Sequence, residues 1–190
     1  TNANTYCVDF DGSHDMLQRK EQNWNSADDR GTFVAWIYSD DVSSGTQGGA
    51  AIFSTSDESP ADTYLRFLMS SANIQVEQKS SGTESGVTGG TALSASTWYM
   101  VAVTSSGATW NLYVNGVVES LTPAGTDGNN GDWLSDTANA ARDNAIIGGS
   151  YFTGSTNHFN GKMTQVAYFG GSSSTTGVLT AAQLLALYNA

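Results

Sequence analysis

Three aromatic residues in polar loops and a few acidic turns carry most of the chemistry this chain can offer. Trp133, within Gly-Asp-Trp-Leu, and Trp24, within Gln-Asn-Trp-Asn, can present flat faces to sugar C–H groups. Asn130, Asp132 and Asn25 stand beside them to bond hydroxyls, and Tyr151 has Asn157 nearby for the same work. Trp133 has a second reading as a plug at one end of the fold or an anchor in a protein interface. Asp127-Gly-Asn-Asn-Gly-Asp132 resembles the start of a calcium loop, since calcium takes about six to eight hard oxygens. Its twelfth position is Ala138 rather than a bidentate Glu, so it is no EF-hand, and Asp-Gly and Asn-Gly also serve simply as turns. Nucleophilic catalysis has little to draw on. Cys7 lies in an N-terminal strand, where a buried, inert thiol is the usual case. His14 and His158 sit in Ser/Asn-rich loops without a triad context, and no zinc spacing or phosphate-cradling glycine loop is present.

The elements that must position these residues are strands. Trp98–Thr104 and Thr109–Asn115 are β-rich runs joined by Ser105-Ser106-Gly107-Ala108, and their alternation is a strand–turn–strand signal. Tyr99, Val101 and Val103 share one face, and Trp110, Leu112 and Val114 another. Asn115-Gly116 supplies the positive φ of a two-residue hairpin into Val117-Val118, so a meander is expected at the centre of an antiparallel sheet. Tyr6–Gly12, Met16-Leu17, Ala50–Ser54, Tyr64–Ser70, Asn73–Lys79 and Ala145–Gly149 read as further strands. Thr32–Ser39 is apolar on both faces, as suits a strand in the middle of a sandwich. Phe159–Phe169 reads as the closing strand, with Met163, Gln165, Ala167 and Phe169 on one face. Gln18–Gly31, Ser80–Gly90 and Leu121–Asn144 read as loops, the last long enough to suggest function. Trp36, Trp98 and Trp110, being in strands, are expected in the core. Thr180-Ala-Ala-Gln183 matches a capping box, opening one helix whose Leu184, Leu187 and Tyr188 form a stripe.

Composition bounds the function. A chain of 190 residues with 39% hydrophobic residues is expected to form a single domain, 1–190, with a real core. A net charge of −11 argues against nucleic acid and against docking on anionic membranes, and no apolar run approaches a membrane span. The acidity serves solubility or offers carboxylates to calcium. Cys7 has no partner in the chain, and no signal peptide is read before Thr1.

Several segments, in order, resemble the laminin-G-like branch of the concanavalin A-like lectins and glucanases. They are Val8-Asp9-Phe10-Asp11-Gly12, Phe33–Ile37, Trp98–Thr104, Leu112–Gly116, Ile147-Gly148-Gly149, Phe159-Asn160-Gly161 and Leu179–Asn189. The resemblance implies an all-β, two-sheet antiparallel jelly-roll sandwich with a short C-terminal helix, and a role in binding glycans or protein partners. It also implies a calcium ion on the rim, with Asp62 near the acid that precedes the strand Tyr64-Leu65-Arg66-Phe67 and Asp143 approaching the same rim. After Phe159-Asn160-Gly161 the family commonly places acids, whereas Lys162-Met163-Thr164-Gln165 has none. Glucanases of this fold use carboxylates closely spaced on one strand, which for retention stand about 5–5.5 Å apart. Of the glutamates here, Glu21, Glu58, Glu77, Glu84 and Glu119, no two lie two or four residues apart, and Glu77 reads as a solvated strand position.

The expectation is a non-catalytic binding and adhesion module that contacts glycans or neighbouring subunits, displayed on a phage virion as a decoration or appendage protein, or otherwise extracellular. The alternative is a secreted bacterial carbohydrate-binding protein, and a glycan-active enzyme comes third.

Overall fold

A computed structural model describes residues 6–43, 50–58, 63–137, 142–152, 155–173 and 176–190. Its strands are β1 (Val8–Asp11), β2 (Leu17–Lys20), β3 (Arg30–Ser39), β4 (Ala50–Ser56), β5 (Tyr64–Ser70), β6 (Asn73–Ser80), β7 (Thr83–Gly89) and β8 (Trp98–Ser105). They continue with β9 (Trp110–Val114), β10 (Val117–Val118), β11 (Leu121–Gly125), β12 (Asn144–Ile147), β13 (Tyr151–Phe152), β14 (Ser155–Thr156) and β15 (Asn160–Gly171), followed by the helix α1 (Ala181–Asn189). A six-stranded antiparallel sheet in the order β1-β15-β3-β8-β9-β10 packs on a seven-stranded one in the order β11-β7-β6-β5-β4-β12-β2. The expected all-β jelly-roll sandwich with a late helix is therefore the fold observed.

The core lies between the sheets. Phe33, Ile37, Val101, Val103, Trp110 and Leu112 from one meet Phe53, Leu65, Phe67, Ile74 and Val76 from the other. Each side chain comes from alternate positions of its strand, the period that puts every second residue on one face. Because β3 and β8 are interior strands of a sheet that is covered on both sides, Val34, Met100 and Ala102 are buried too, on the outer side, with Tyr113 and Leu184. The helix covers that outer side. Its capping box is formed: Thr180 Oγ1 accepts from the Gln183 amide, and the Gln183 side chain accepts from the Thr180 amide. Thr180→Ala is expected to cost about 1 kcal/mol, read as a lower midpoint in urea.

Several expectations are corrected. The meander is not central: β8 is interior, but β9 and β10 run to the edge of the sheet. Its hairpin is as expected, with Val114 opposite Val117 and φ of 52° and 77° at Asn115 and Gly116. Three segments read as loops contain strand residues: Gln18–Gly31 begins with most of β2, and Ser80–Gly90 and Leu121–Asn144 hold β7 and β11, which pair with each other at the edge of the second sheet. Neither β7 nor β11 has the alternation of apolar residues that marks a strand, because Val87 of β7 enters the main core and Leu121 of β11 packs against it, with no second large apolar residue on either strand beside them. In β15 the register slips between Thr164 and Ala167, with Gln165 at φ 49°. Such a bulge shifts the phase by one residue. Met163 and Val166 therefore both face the core, while Ala167 faces the helix. Cys7 is exposed rather than buried, since it precedes an edge strand. Trp110 is in the core, but Trp98 is 38% exposed and rests on Tyr38, and Leu187 of the helix is 43% exposed.

Candidate functional site

The two outer faces of the sandwich differ in kind. That of the six-stranded sheet is apolar and closed by α1, where Trp36 stacks on Tyr188 with ring centroids 5.6 Å apart. The other is polar. Leu65, Phe67 and Met69 of β5 point into the core, so Tyr64, Arg66 and Leu68 point out. Cross-strand register builds three rows: Ser56, Tyr64, Lys79 and Glu84; Ser54, Arg66, Glu77 and Gly86; and Ala51, Leu68, Gln75 and Thr88.

These rows are tied together. Arg66 Nη2 donates to Glu77 Oε2 at 2.6 Å, and the guanidinium carbon lies 4.2 Å from the centre of the Tyr64 ring. Gln75 Nε2 donates to the other Glu77 oxygen at 2.6 Å. Lys79 pairs with Glu84 at 3.1 Å, and the Tyr64 hydroxyl donates to the same carboxylate at 3.2 Å. Burial pushes the Tyr64 hydroxyl up to about 12, with the nearby Glu77 and Glu84 adding to the shift and Arg66 opposing it. The Arg66 side chain is only 7% exposed, whereas Glu77 and Lys79 are each 24% exposed and Glu84 is half exposed. Arg66 thus holds Glu77 in place from below, and the groups open to a ligand are Gln75, Glu77, Lys79, Glu84 and Thr88. Glu77 is therefore not the freely solvated position expected of it.

The segment after β12 walls this face on the β4 side. Ser54 Oγ donates to Gly149 O at 2.8 Å, Ser56 Oγ to Tyr151 O at 2.5 Å, and the Ala51 amide to Asn157 O at 3.3 Å. Tyr151, one of the expected ligand residues, stands on this wall and is 41% exposed.

A family model described as concanavalin A-like lectin/glucanases superfamily, of the laminin-G group, matches residues 11–178. The chain belongs to that superfamily. No curated protein sequence matches it. Among solved structures, this lectin/glucanase sandwich is similar to the carbohydrate-binding module of a Ruminococcus gnavus sialidase bound to α2,3-sialyllactose. That match has 17% identity and a TM-score of 0.66, covering 90% of this chain and 98% of that one. Domain 4 of an extracellular arabinanase from Geobacillus stearothermophilus, in complex with arabinotriose, gives 13% identity and a TM-score of 0.67 over 96% and 76% of the two chains. A heptameric pentraxin from Limulus polyphemus gives 12% and 0.61 over 96% and 81%.

The lectin/glucanase sandwich disperses the other expected site residues. Trp133 is 1% exposed, so its indole presents no face to a sugar. It seals one end of the core, its Nε1 donating to the Tyr168 hydroxyl at 3.2 Å, which donates in turn to Asp28 at 2.7 Å. The polar side chains around it are spent on the loop itself. Asn129 bonds the backbone of Trp110 in both directions, and Asn130 Nδ2 donates to Ser85 Oγ and to Asp132. Burial, then the Asp136 carboxylate, raises the Asp132 pKa. Here the turn reading of the Asp-Gly and Asn-Gly pairs accounts for the residues. Trp24 is half-buried, its ring 5.0 Å from Tyr168 and 5.9 Å from Phe53, and it lines a cleft of about 570 Å³ with Arg19, Ile147 and Val166 at the seam between the sheets.

Of the expected calcium ligands, Asp62 lies outside the described residues. Asp143 sits beside β4, its amide donating to Ser56 O at 3.0 Å, and its carboxyl pKa is raised by burial and then by Glu58 and Asp57. Asp127 is exposed beside β7, where its amide meets Glu84 O, with β6, β5 and β4 between it and Asp143. The two are not brought together. Among the described residues, no three His, Cys, Asp or Glu side chains are arranged to hold a metal ion.

Sequence reasoning missed Tyr64, Arg66 and Gln75. One signal was there: in Tyr64–Ser70 a single charge, Arg66, interrupts an apolar run at an outward position, opposite Glu77 on a strand with one wet face.

Proposed function

We propose that this protein is a non-catalytic module that binds oligosaccharides on the outer face of its seven-stranded sheet. The observation that carries the reading is the contrast between faces: one is apolar and covered by α1, the other a lattice of bonded side chains bordered by Tyr151. Sugars match such a lattice, because each hydroxyl both donates and accepts. The two neighbours whose structures hold sialyllactose and arabinotriose support the class of ligand. Non-catalysis is supported by the engagement of the carboxylates, Glu77 with Arg66 and Glu84 with Lys79 and Tyr64, and by the absence of a second acid on β6. In a screen of immobilised glycans, Gln75→Ala is expected to weaken the best ligand about tenfold with the melting temperature kept, the scale of one or two lost hydrogen bonds. Unchanged affinity would remove the site from this face.

An extracellular or virion-displayed setting, with neighbouring subunits as further partners, belongs to the same reading. Exposed Val117 and Val118 on the edge strand β10 favour such a contact.

For calcium, Asp143 is kept as a single carboxylate ligand at the rim, with the other oxygens left to backbone and water, since no three acidic side chains among the described residues are arranged around an ion. The Asp143 pKa is raised first by burial and then by the nearby Glu58 and Asp57, and a hard divalent cation at this carboxylate relieves that repulsion. Without the ion, the raised pKa makes ionised Asp143 a cost to folding that is present at neutral pH and fades as pH falls through its raised value. For a site of about 0.1–1 mM affinity, about 10 mM calcium is expected to raise the melting temperature by about 3–10 °C, with no rise in Asp143→Asn. A melting temperature indifferent to calcium contradicts the assignment.

A further inference from the structure

We infer that the sheet face selects neutral glycans and rejects those bearing carboxylate, sulfate or phosphate groups, a specificity that rests on the glycan-binding reading above. The chain has seven Lys and Arg residues against 18 Asp and Glu. All seven cations lie in the described residues, and each is already committed. Arg19 pairs with Glu21, Lys20 with Glu58, Arg30 with Asp29, Arg66 with Glu77, Lys79 with Glu84, and Lys162 with Asp9. Arg142, the seventh, is wholly buried and donates to Thr55 Oγ1, Leu134 O and Trp24 O.

An anionic sugar needs a cation, or several aligned donors, to offset the loss of water around its charge. On the sheet face only Arg66 and Lys79 are available, at 7% and 24% exposure, and each is held by a carboxylate that an incoming anion would have to displace. Of the more exposed cations, Arg19 is on β2, separated from β6 by β5, β4 and β12, and Lys20 beside it reaches the β4 end of the face only as the partner of Glu58, at 3.5 Å. Meanwhile both ends of the face keep a surplus of negative charge: Asp127 beside the Lys79–Glu84 pair at the β7 end, and Asp57 and Asp143 beside the Lys20–Glu58 pair at the β4 end. Like charges brought together in this way discriminate against a wrong partner. The face therefore differs in selectivity from the sialidase module whose structure holds sialyllactose, although the two share a fold.

The test uses matched ligands: lactose, arabinotriose and α2,3-sialyllactose, titrated calorimetrically at pH 8 in EGTA, which removes divalent cations. The neutral sugars are expected to bind at least about tenfold more tightly than sialyllactose, and the gap to narrow between about 0.01 M and 0.15 M salt as repulsion is screened. Glu84→Lys is expected to raise sialyllactose affinity toward that for lactose. Sialyllactose binding as tightly as lactose, or more tightly, overturns the inference. A second arm does not depend on any sugar being bound: passage over immobilised dextran sulfate at low salt. Elution in the void supports the inference and retention overturns it. Failure of all neutral glycans across a broad screen contradicts the glycan-binding function, and the dextran sulfate result still decides the charge selectivity.

Discussion

Trp133→Ala is expected to cost about 3–5 kcal/mol of stability, the range for deleting a large buried aromatic side chain. The indole is 1% exposed and packs in the main cluster with Leu134 and Trp110. Truncation also removes the donor to Tyr168, whose hydroxyl is buried and bonded to Asp28. Burial, and then that bond, raise the Tyr168 pKa, so the hydroxyl keeps the proton that it donates to Asp28. Trp133→Phe keeps much of the volume and loses the Nε1 donor, so about 1–2 kcal/mol is expected. Guanidinium titration monitored by circular dichroism distinguishes the two variants. A loss below about 1 kcal/mol for Trp133→Ala would mean that the end of the sandwich closes without it.

The second large effect is an asymmetry at the pair of Arg66 and Glu77. Breaking a buried ion pair from one side costs about 3–5 kcal/mol, because the remaining charge stays buried. Arg66 is 7% exposed and Glu77 is 24% exposed, so the two removals are not equivalent. Glu77→Met takes from a buried guanidinium the carboxylate that pairs with it, while the Tyr64 contact stays, and is expected to be the costlier of the two, within that range. Arg66→Met leaves a carboxylate that can turn to water, and about half the cost is expected. The double variant should recover part of the loss, as replacement of both partners by apolar groups of similar shape often does. Glycan affinity is expected to fall in all three, since Arg66 positions Glu77 and Gln75 bonds to it. Equal costs for the two single variants would show that Arg66 does not depend on Glu77.

The fold was legible because its signals are local. The Asn115-Gly116 turn, the alternation in Trp98–Thr104 and the Thr180–Gln183 box each specify their element within a few residues. Strands β7 and β11 were not, since Thr-Glu-Ser-Gly-Val-Thr-Gly and Leu-Thr-Pro-Ala-Gly carry no apolar alternation and their pairing with each other decides the matter from 30 or more positions apart. The bulge at Gln165 was hidden too, as nothing in the alternation of Met163–Phe169 announces a slip of phase. The site was less legible than the fold for a related reason. A tryptophan in a polar loop suggests a ligand platform, but Trp133 is drawn inward by Tyr168 and Asp28, which lie far from it in sequence. Arg66 has no charged neighbour on its own strand, and only cross-strand register sets it beside Glu77. Tyr151 alone of the expected ligand residues stands on the polar face, because the segment that carries it is bonded to Ser54 and Ser56 of β4.

The most direct test of the central claim is to follow backbone amide resonances while the best neutral oligosaccharide is added. Binding on the sheet face is expected to gather the shifts at Ser54, Arg66, Gln75–Lys79, Thr88 and Tyr151, with the helix and the Trp133 loop unmoved. Shifts confined to Gln18, Arg19 and Trp24 at the seam cleft, or to Asp127–Trp133, would contradict it.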